Sequence, residues 1–202
     1  MLLMLLLAQK LTGAAILQDA WTKVDHAKAA TVSMVRTSEE FKQNASSVSY
    51  AFRSGGYFRA KSGQVVDVSN PKQGWTFRAD KKIYQVRTPV PTTFKLTSAL
   101  GLGLIHQGMR TIGDPTPTRW HGWSTLRIEL DGRQAMTKDT KLFIFVDPKT
   151  HLPIGISANL GSLTQVVEFV DFKLNPPIKD TVFQFAPPKG WKRVTADSGG
   201  WK

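Results

Sequence analysis

The chain has 202 residues and a net charge of +12, from 27 lysines and arginines against 15 aspartates and glutamates. That length supports one sizeable core, and a hydrophobic content of 41% lies well above that of a disordered chain. The absence of cysteine excludes disulfide frameworks, thiolate zinc sites, iron–sulfur centres and cysteine nucleophiles together.

The N-terminal stretch Leu2–Ala8 is apolar and is followed by the small residues Gly13-Ala14-Ala15. It lacks a basic start and is short for the core of a secretory signal. Residues 1–10 therefore read as a weak or truncated signal-like segment, or as the beginning of the first helix. A single domain is expected over 11–194, with 195–202 as a tail. No other segment approaches the ~20 apolar residues of a membrane span, and no cysteine is present to carry a lipid anchor.

Between Leu11 and Lys28, Leu17, Trp21 and Val24 stand four and three apart, which predicts an amphipathic helix. From Ala30 the period changes to two. "TVSMVRT" and "SVSYAFR" read as strands, followed by Tyr57–Lys61 and Gln64–Val68. "GWTFRADKKIYQV" then predicts a hairpin about the turn Ala79–Lys82. If Arg78 faces Ile83, then Phe77 faces Tyr84 and Trp75 faces Val86, so four bulky side chains share one sheet face. "LTSALGLGLIHQGM" could be helical, although Gly101, Gly103 and Gly108 weaken it. "GDPTPTRWHGW" reads as a loop. Strands resume at Ser124–Leu130, Lys141–Val146, His151–Ala158 and Leu163–Phe172, with a last short strand around Val182–Phe185.

Two helical segments against about nine or ten strands describe an α+β chain that is mostly β, with one large, strongly curved antiparallel sheet. Such a sheet has more apolar face than two helices can cover. The aromatic wall of the hairpin is then either ordinary core or the lining of a cavity.

The chemistry-bearing residues do not assemble into a catalytic motif. His26, His106, His121 and His151 show no metal-ligand spacing. "GLGLIHQG" lacks the third glycine of a dinucleotide fingerprint. Ser54-Gly55-Gly56 and Gly161-Ser162 make no nucleophile elbow, and Asp147-Pro148-Lys149-Thr150 is turn chemistry. Neither enzyme activity nor a metal or cofactor is expected. The positive charge favours anionic partners, but Arg53, Arg59, Lys61, Lys72, Arg78 and Lys81 are scattered singly, as on a solvated basic surface. No nucleic-acid-binding signature accompanies them, so a nucleic-acid partner is not expected.

The order of the pieces resembles the periplasmic lipoprotein-carrier family, LolA and LolB with the related mycobacterial lipid-carrier lipoproteins. Gly56-Tyr57-Phe58-Arg59 resembles the family's Pro-Gly-x-aromatic-Arg, with Gly55 in place of the proline. "NPKQGWTF" and "ADKKIYQV" resemble its Trp-containing hairpin. "KLFIFVDPKTHLPIGI" resembles its strand, Asp-x-x-Thr turn and Leu-Pro return. "FKLNPPIKDTVFQFAPPKGW" is the most specific match, to the family's closing stretch.

The resemblance implies an open half-barrel whose concave apolar face is covered by helices and holds acyl chains of a lipoprotein or lipid. The cavity would be lined by Tyr50, Phe52, Phe58, Trp75, Phe77, Tyr84, Val86, Leu126, Ile128, Phe143, Phe145 and Phe169, with Leu100, Leu104 and Ile105 in a lid. It further implies a soluble, monomeric, non-catalytic carrier outside the cytoplasm, periplasmic in a two-membrane envelope, without a lipid anchor. Inner- and outer-membrane proteins would be its partners, and the net charge of +12 separately points to an anionic membrane surface. A different class remains open: a sensor or interaction domain on the same fold that binds a peptide or an anionic membrane. A filled core favours the latter, a continuous apolar cavity the former.

Overall fold

Thr12 opens the first helix by accepting the Ala15 N–H on its hydroxyl at 3.2 Å. The computed structural model describes residues 11–38, 46–100, 102, 110–131, 140–160 and 163–195, and its first helix, α1, runs Gly13–Asp25. Ile16, Leu17, Ala20, Trp21 and Val24 recur three or four residues apart, so they form one stripe, and all are buried.

Beyond α1 the chain alternates. β1 (Ala29–Ser38), β2 (Ser46–Arg53), β3 (Tyr57–Ser62), β4 (Val65–Ser69), β5 (Gly74–Arg78) and β6 (Ile83–Arg87) make one antiparallel meander. β7 (Thr111–Trp120), β8 (Trp123–Asp131), β9 (Lys141–Val146), β10 (Pro153–Leu160) and β11 (Leu163–Leu174) make a second. The two join where β1 pairs with β11, Met34 opposite Phe169. The last strand, β12 (Lys192–Arg193), lies parallel to β6. The result is one open, curved 12-stranded sheet in the order β12-β6-β5-β4-β3-β2-β1-β11-β10-β9-β8-β7. The predicted α+β class and curved sheet are what the chain adopts.

Register assigns the faces. Val32, Tyr50, Ala60, Asp67, Thr76 and Gln85 stand across one another on successive strands. This is the face that α1 covers, because Ala30, Val32 and Met34 of β1 pack into one core with the α1 stripe. Ile128, Leu130, Leu142, Ile144 and Val146 complete that core from β8 and β9. The short helix α2 (Leu96–Ala99) adds Leu96, with Leu100 and Leu102 following. Asp25 fastens α2 to α1, accepting from Thr97 Oγ1 at 2.8 Å and Lys95 Nζ at 3.0 Å.

The opposite face carries Thr31, Ala51, Arg59, Val68, Trp75 and Val86 in register. The C-terminal segment crosses it. Arg53 pairs with Asp180, Arg59 Nη1 donates to Val182 O at 3.3 Å, and Phe183 is fully buried against Tyr57. On β2 and β3 each face is therefore packed by a different part of the chain, the helical side on one and the C-terminal segment on the other.

Two expectations are corrected. Residues 113–123 are not a loop: they form most of β7 and the turn to β8. β7 is an edge strand, so the N–H groups missing at Pro115 and Pro117 break no ladder through the sheet. A register shift between Ile112 and Thr116 and a positive φ at Gly113 absorb the irregularity. The segment around Val182–Phe185 is not a strand either. Asp180–Phe183 is a 3₁₀ turn that anchors Phe183, and pairing resumes only at Lys192. The apolar stretch after Pro91 is helical over Leu96–Ala99; its continuation, including Leu104 and Ile105, lies outside the described residues.

Candidate functional site

The residues expected to line one cavity divide between two faces. Tyr50, Phe52, Phe58, Leu126, Ile128 and Phe169 lie on the α1-covered face, and Leu100 closes onto the same core. Phe94 joins them, its ring edge-on to Phe58 with centroids 5.4 Å apart and tilted against Phe52 at 6.5 Å. Burial raises the pKa of the Tyr50 phenol against the opposing field of Arg36, so this side presents a neutral hydroxyl.

Trp75, Phe77, Tyr84 and Val86 face the other way, as do Phe143 and Phe145. The hairpin wall has the predicted register, and its cover is the chain's own C-terminal segment. Phe185 sits on Phe77, Trp75 and Tyr84 with centroid separations of 4.2, 6.4 and 5.9 Å. Trp191 closes the group, 5.7 Å from Phe185. Phe185 and Trp191 were not singled out in the sequence. They lie about a hundred residues beyond the hairpin, and no local periodicity marks a prolyl segment that packs without pairing.

A cleft of about 370 Å³ opens where two chain reversals, the β7–β8 turn and the β9–β10 turn, meet an irregularity within β11. His121 and Gly122 both have positive φ, 48° and 88°, as a two-residue hairpin turn of primed type requires. That turn aims Trp120 and Trp123 to one side. The "WHGW" pattern was the signal available for it: a two-residue turn with glycine between bulky neighbours. In β11 the register to β1 shifts between Thr31 and Ser33, and Asp171 takes a φ of 55°.

The floor of the cleft is apolar. Phe169 belongs to the α1-side core, and Leu152 and Phe172 pack against it. At the mouth, Trp123 is 64% exposed and Val170 40%. Trp120 forms a wall, stacked on Phe145 at 4.5 Å and 10°, and lies over Gly155, where a Cβ would come within 2.0 Å of its ring. Glu168 on β11 pairs with His121 Nδ1.

The β9–β10 turn is held twice. Asp147 Oδ1 accepts from Lys149 N–H at 2.9 Å, Thr150 N–H at 2.7 Å and the Thr150 hydroxyl at 2.9 Å. Partial burial pushes the Asp147 carboxyl up, but the Thr150 and Lys149 donors outweigh it and leave the pKa lowered. On the other side His151 Nδ1 donates to Asp19 Oδ2 of α1 at 2.6 Å. Lys23 meets the same oxygen at 2.6 Å, and its hydrogen bond is the main cause of the lowered Asp19 pKa, His151 adding to it. The turn bordering the cleft is thus tied directly to the helix that covers the core.

A second cleft, about 210 Å³, lies by Phe58, Trp75, Arg87 and Val90 at the start of the α2 connection. Among the described residues no group of three or more His, Asp or Glu side chains is placed to hold a metal ion. No described helix is long and apolar enough to cross a membrane. What the larger cleft offers is apolar surface with a polar rim, suited to burying a chain of methylenes.

The chain shares its fold with an uncharacterized conserved protein from Thermus thermophilus. That similarity has a TM-score of 0.55 at 11% identity, covering 90% of this chain and 97% of the other. LprF from Mycobacterium bovis is similar at a TM-score of 0.48 and 13% identity, over 81% of this chain and 93% of that one. A LolA superfamily protein from Nitrosomonas europaea gives 0.37 at 12% identity, over 87% of this chain and 98% of that one. No protein-family model matches the sequence, and no curated protein does.

Proposed function

We propose that this protein is a non-catalytic carrier that takes up acyl chains of a lipoprotein or lipid outside the cytoplasm. The observation that carries the reading is the cleft beside Trp120 and Trp123, whose floor of Leu152, Phe169 and Phe172 is continuous with the helix-covered core. Its size, about 370 Å³, falls within the range of small-molecule sites. The motif resemblance supplies the ligand class, and the open sheet with α1 laid across it is the frame such a carrier uses. An acyl chain entering past Val170 would lie against Phe169 and Phe172, and reaching the predicted residue Ile128 beyond them would require the packed core to open.

Binding of this kind needs no chemistry. Each buried methylene contributes about 0.8 kcal/mol, so a long chain is held by burial alone. Release then requires an acceptor that buries the chain equally well, either a membrane or a membrane protein. In a two-membrane envelope this is transfer across the periplasm.

The close seating of α1 favours a second reading. Ala20, Val24, Ile128, Ile144 and Val146 are each no more than 1% exposed, and a filled core is what an interaction domain on this fold would keep.

A fluorescent fatty acid separates the two. Val170→Glu puts a carboxylate at the exposed cleft mouth without disturbing the core, and acyl affinity should fall more than about tenfold at unchanged stability. Equal affinity in the variant removes the cleft from the site. No binding in the unaltered protein removes the carrier reading.

A further inference from the structure

We infer that the β12 edge of the sheet is a docking surface for an anionic lipid bilayer. The inference goes beyond acyl binding and stands without it. β12 brings the C-terminal segment alongside the hairpin turn, Lys192 N–H donating to Lys82 O at 2.9 Å. Arg193 falls opposite Tyr84, and Lys189 sits in the Pro188–Trp191 turn just before the strand. The side chains of Lys82, Lys189, Lys192 and Arg193 are all exposed. Residues separated by about a hundred positions thus form a basic cluster that the sequence shows only as short, separate groups of charge.

The carboxylate in the same turn does not offset them. Asp80 is held by Arg78, Nη2 to Oδ2 at 2.7 Å, and this bond is the main cause of its lowered pKa. Beneath the cluster lies Trp191, half-buried against Phe185 and Phe77 at 5.7 and 6.0 Å. Cations around an amphipathic indole are the pairing that favours a lipid headgroup region. A nucleic acid would instead need free aromatic faces for base stacking, and here Phe77 is already stacked on Phe185.

Edge lysines also have a plainer use, keeping an open strand from pairing with another chain. The test must distinguish a docking surface from that and from net charge alone. One variant carries Lys82→Gln, Lys189→Gln, Lys192→Gln and Arg193→Gln. A control carries Lys61→Gln, Lys72→Gln, Lys149→Gln and Lys173→Gln, all exposed positions away from the edge, so both have the same net charge. Each is sedimented, without added acyl ligand, with vesicles of equal parts phosphatidylcholine and phosphatidylglycerol.

The edge variant should lose about 100-fold or more in partitioning, and the control under about tenfold. Equal losses would assign the binding to net charge and overturn the inference. Undiminished vesicle binding by the edge variant would overturn it too, including where that variant aggregates or loses binding to a single-stranded oligonucleotide. Should the edge variant fail to fold, Trp191→Phe gives an independent reading. Brominated lipid in the same vesicles should quench the unaltered protein more than Trp191→Phe, and equal quenching counts against the edge.

Discussion

Phe77 and Phe185 stack with ring centroids 4.2 Å apart and planes 8° from parallel. The contact joins β5 to the C-terminal segment across the face opposite α1, and Trp75, Tyr84 and Trp191 gather around it. Phe185 therefore holds the final segment against the sheet. A fully buried phenylalanine truncated to alanine costs about 3–5 kcal/mol; Phe185 is half-buried, so Phe185→Ala should destabilise by about 2 kcal/mol. Urea unfolding measures the loss, and fatty-acid affinity should not change. A stable variant that no longer binds acyl chains would instead place the ligand on this face.

The hairpin was legible because register and face follow from a period of two and a short polar turn, both local. The α1 stripe was legible for the same reason, with a period of about 3.6. What covers the hairpin wall was not, because the contact of Phe185 with Phe77 depends on where a distant prolyl segment is laid. β7 was missed because prolines suppress a strand reading unless the strand lies at an edge, and edge position is set only by assembly of the whole sheet. The larger cleft was missed for a related reason: Trp123, Leu152 and Val170 come from two separate turns and an irregular strand, far apart in the sequence. Of the cavity residues implied by family resemblance, those on β2, β3 and β8 and Phe169 of β11 share the helix side. Phe143 and Phe145 alternate away from it.

Asp25 is the link between the two helices. Asp25→Ala leaves the buried Thr97 hydroxyl without its acceptor and frees Lys95. The cost should be about 1–2 kcal/mol, concentrated locally. Hydrogen exchange over residues 95–100 should quicken while the β1 and β11 amides keep their protection. Uniform quickening across the sheet would show that the contact supports the whole core rather than the cover.

Asp147 makes acid stability partly a property of one turn. Its pKa is lowered in the folded chain, so its stabilisation is present above the unfolded value of about 3.9 and is lost as pH falls through the lower folded value. Asp147→Asn keeps one acceptor but removes the charge, and should cost about 1 kcal/mol at neutral pH. The gap between variant and unaltered protein should close below about pH 4. Denaturant unfolding at several pH values measures it, and a gap constant with pH would show that hydrogen-bond geometry, rather than charge, holds the turn.

Gly155 and Trp120 test how the cleft wall is built. A Cβ at position 155 would lie 2.0 Å from Trp120 Cη2 and 2.8 Å from the Val167 carbonyl oxygen. The indole could leave only by giving up its stack on Phe145 and turning toward the cleft that it lines. Gly155→Ala should therefore cost about 1–3 kcal/mol and also weaken acyl binding, because the displaced ring occupies the ligand's space. A double-mutant cycle resolves the cause. In a Trp120→Ala background the ring clash is gone while the Val167 contact remains, so the cost of Gly155→Ala should fall by at least about 0.5 kcal/mol without vanishing. Strict additivity would mean that the backbone contact carries the whole penalty. An unchanged acyl affinity in the single variant would mean that Trp120 does not border the bound chain.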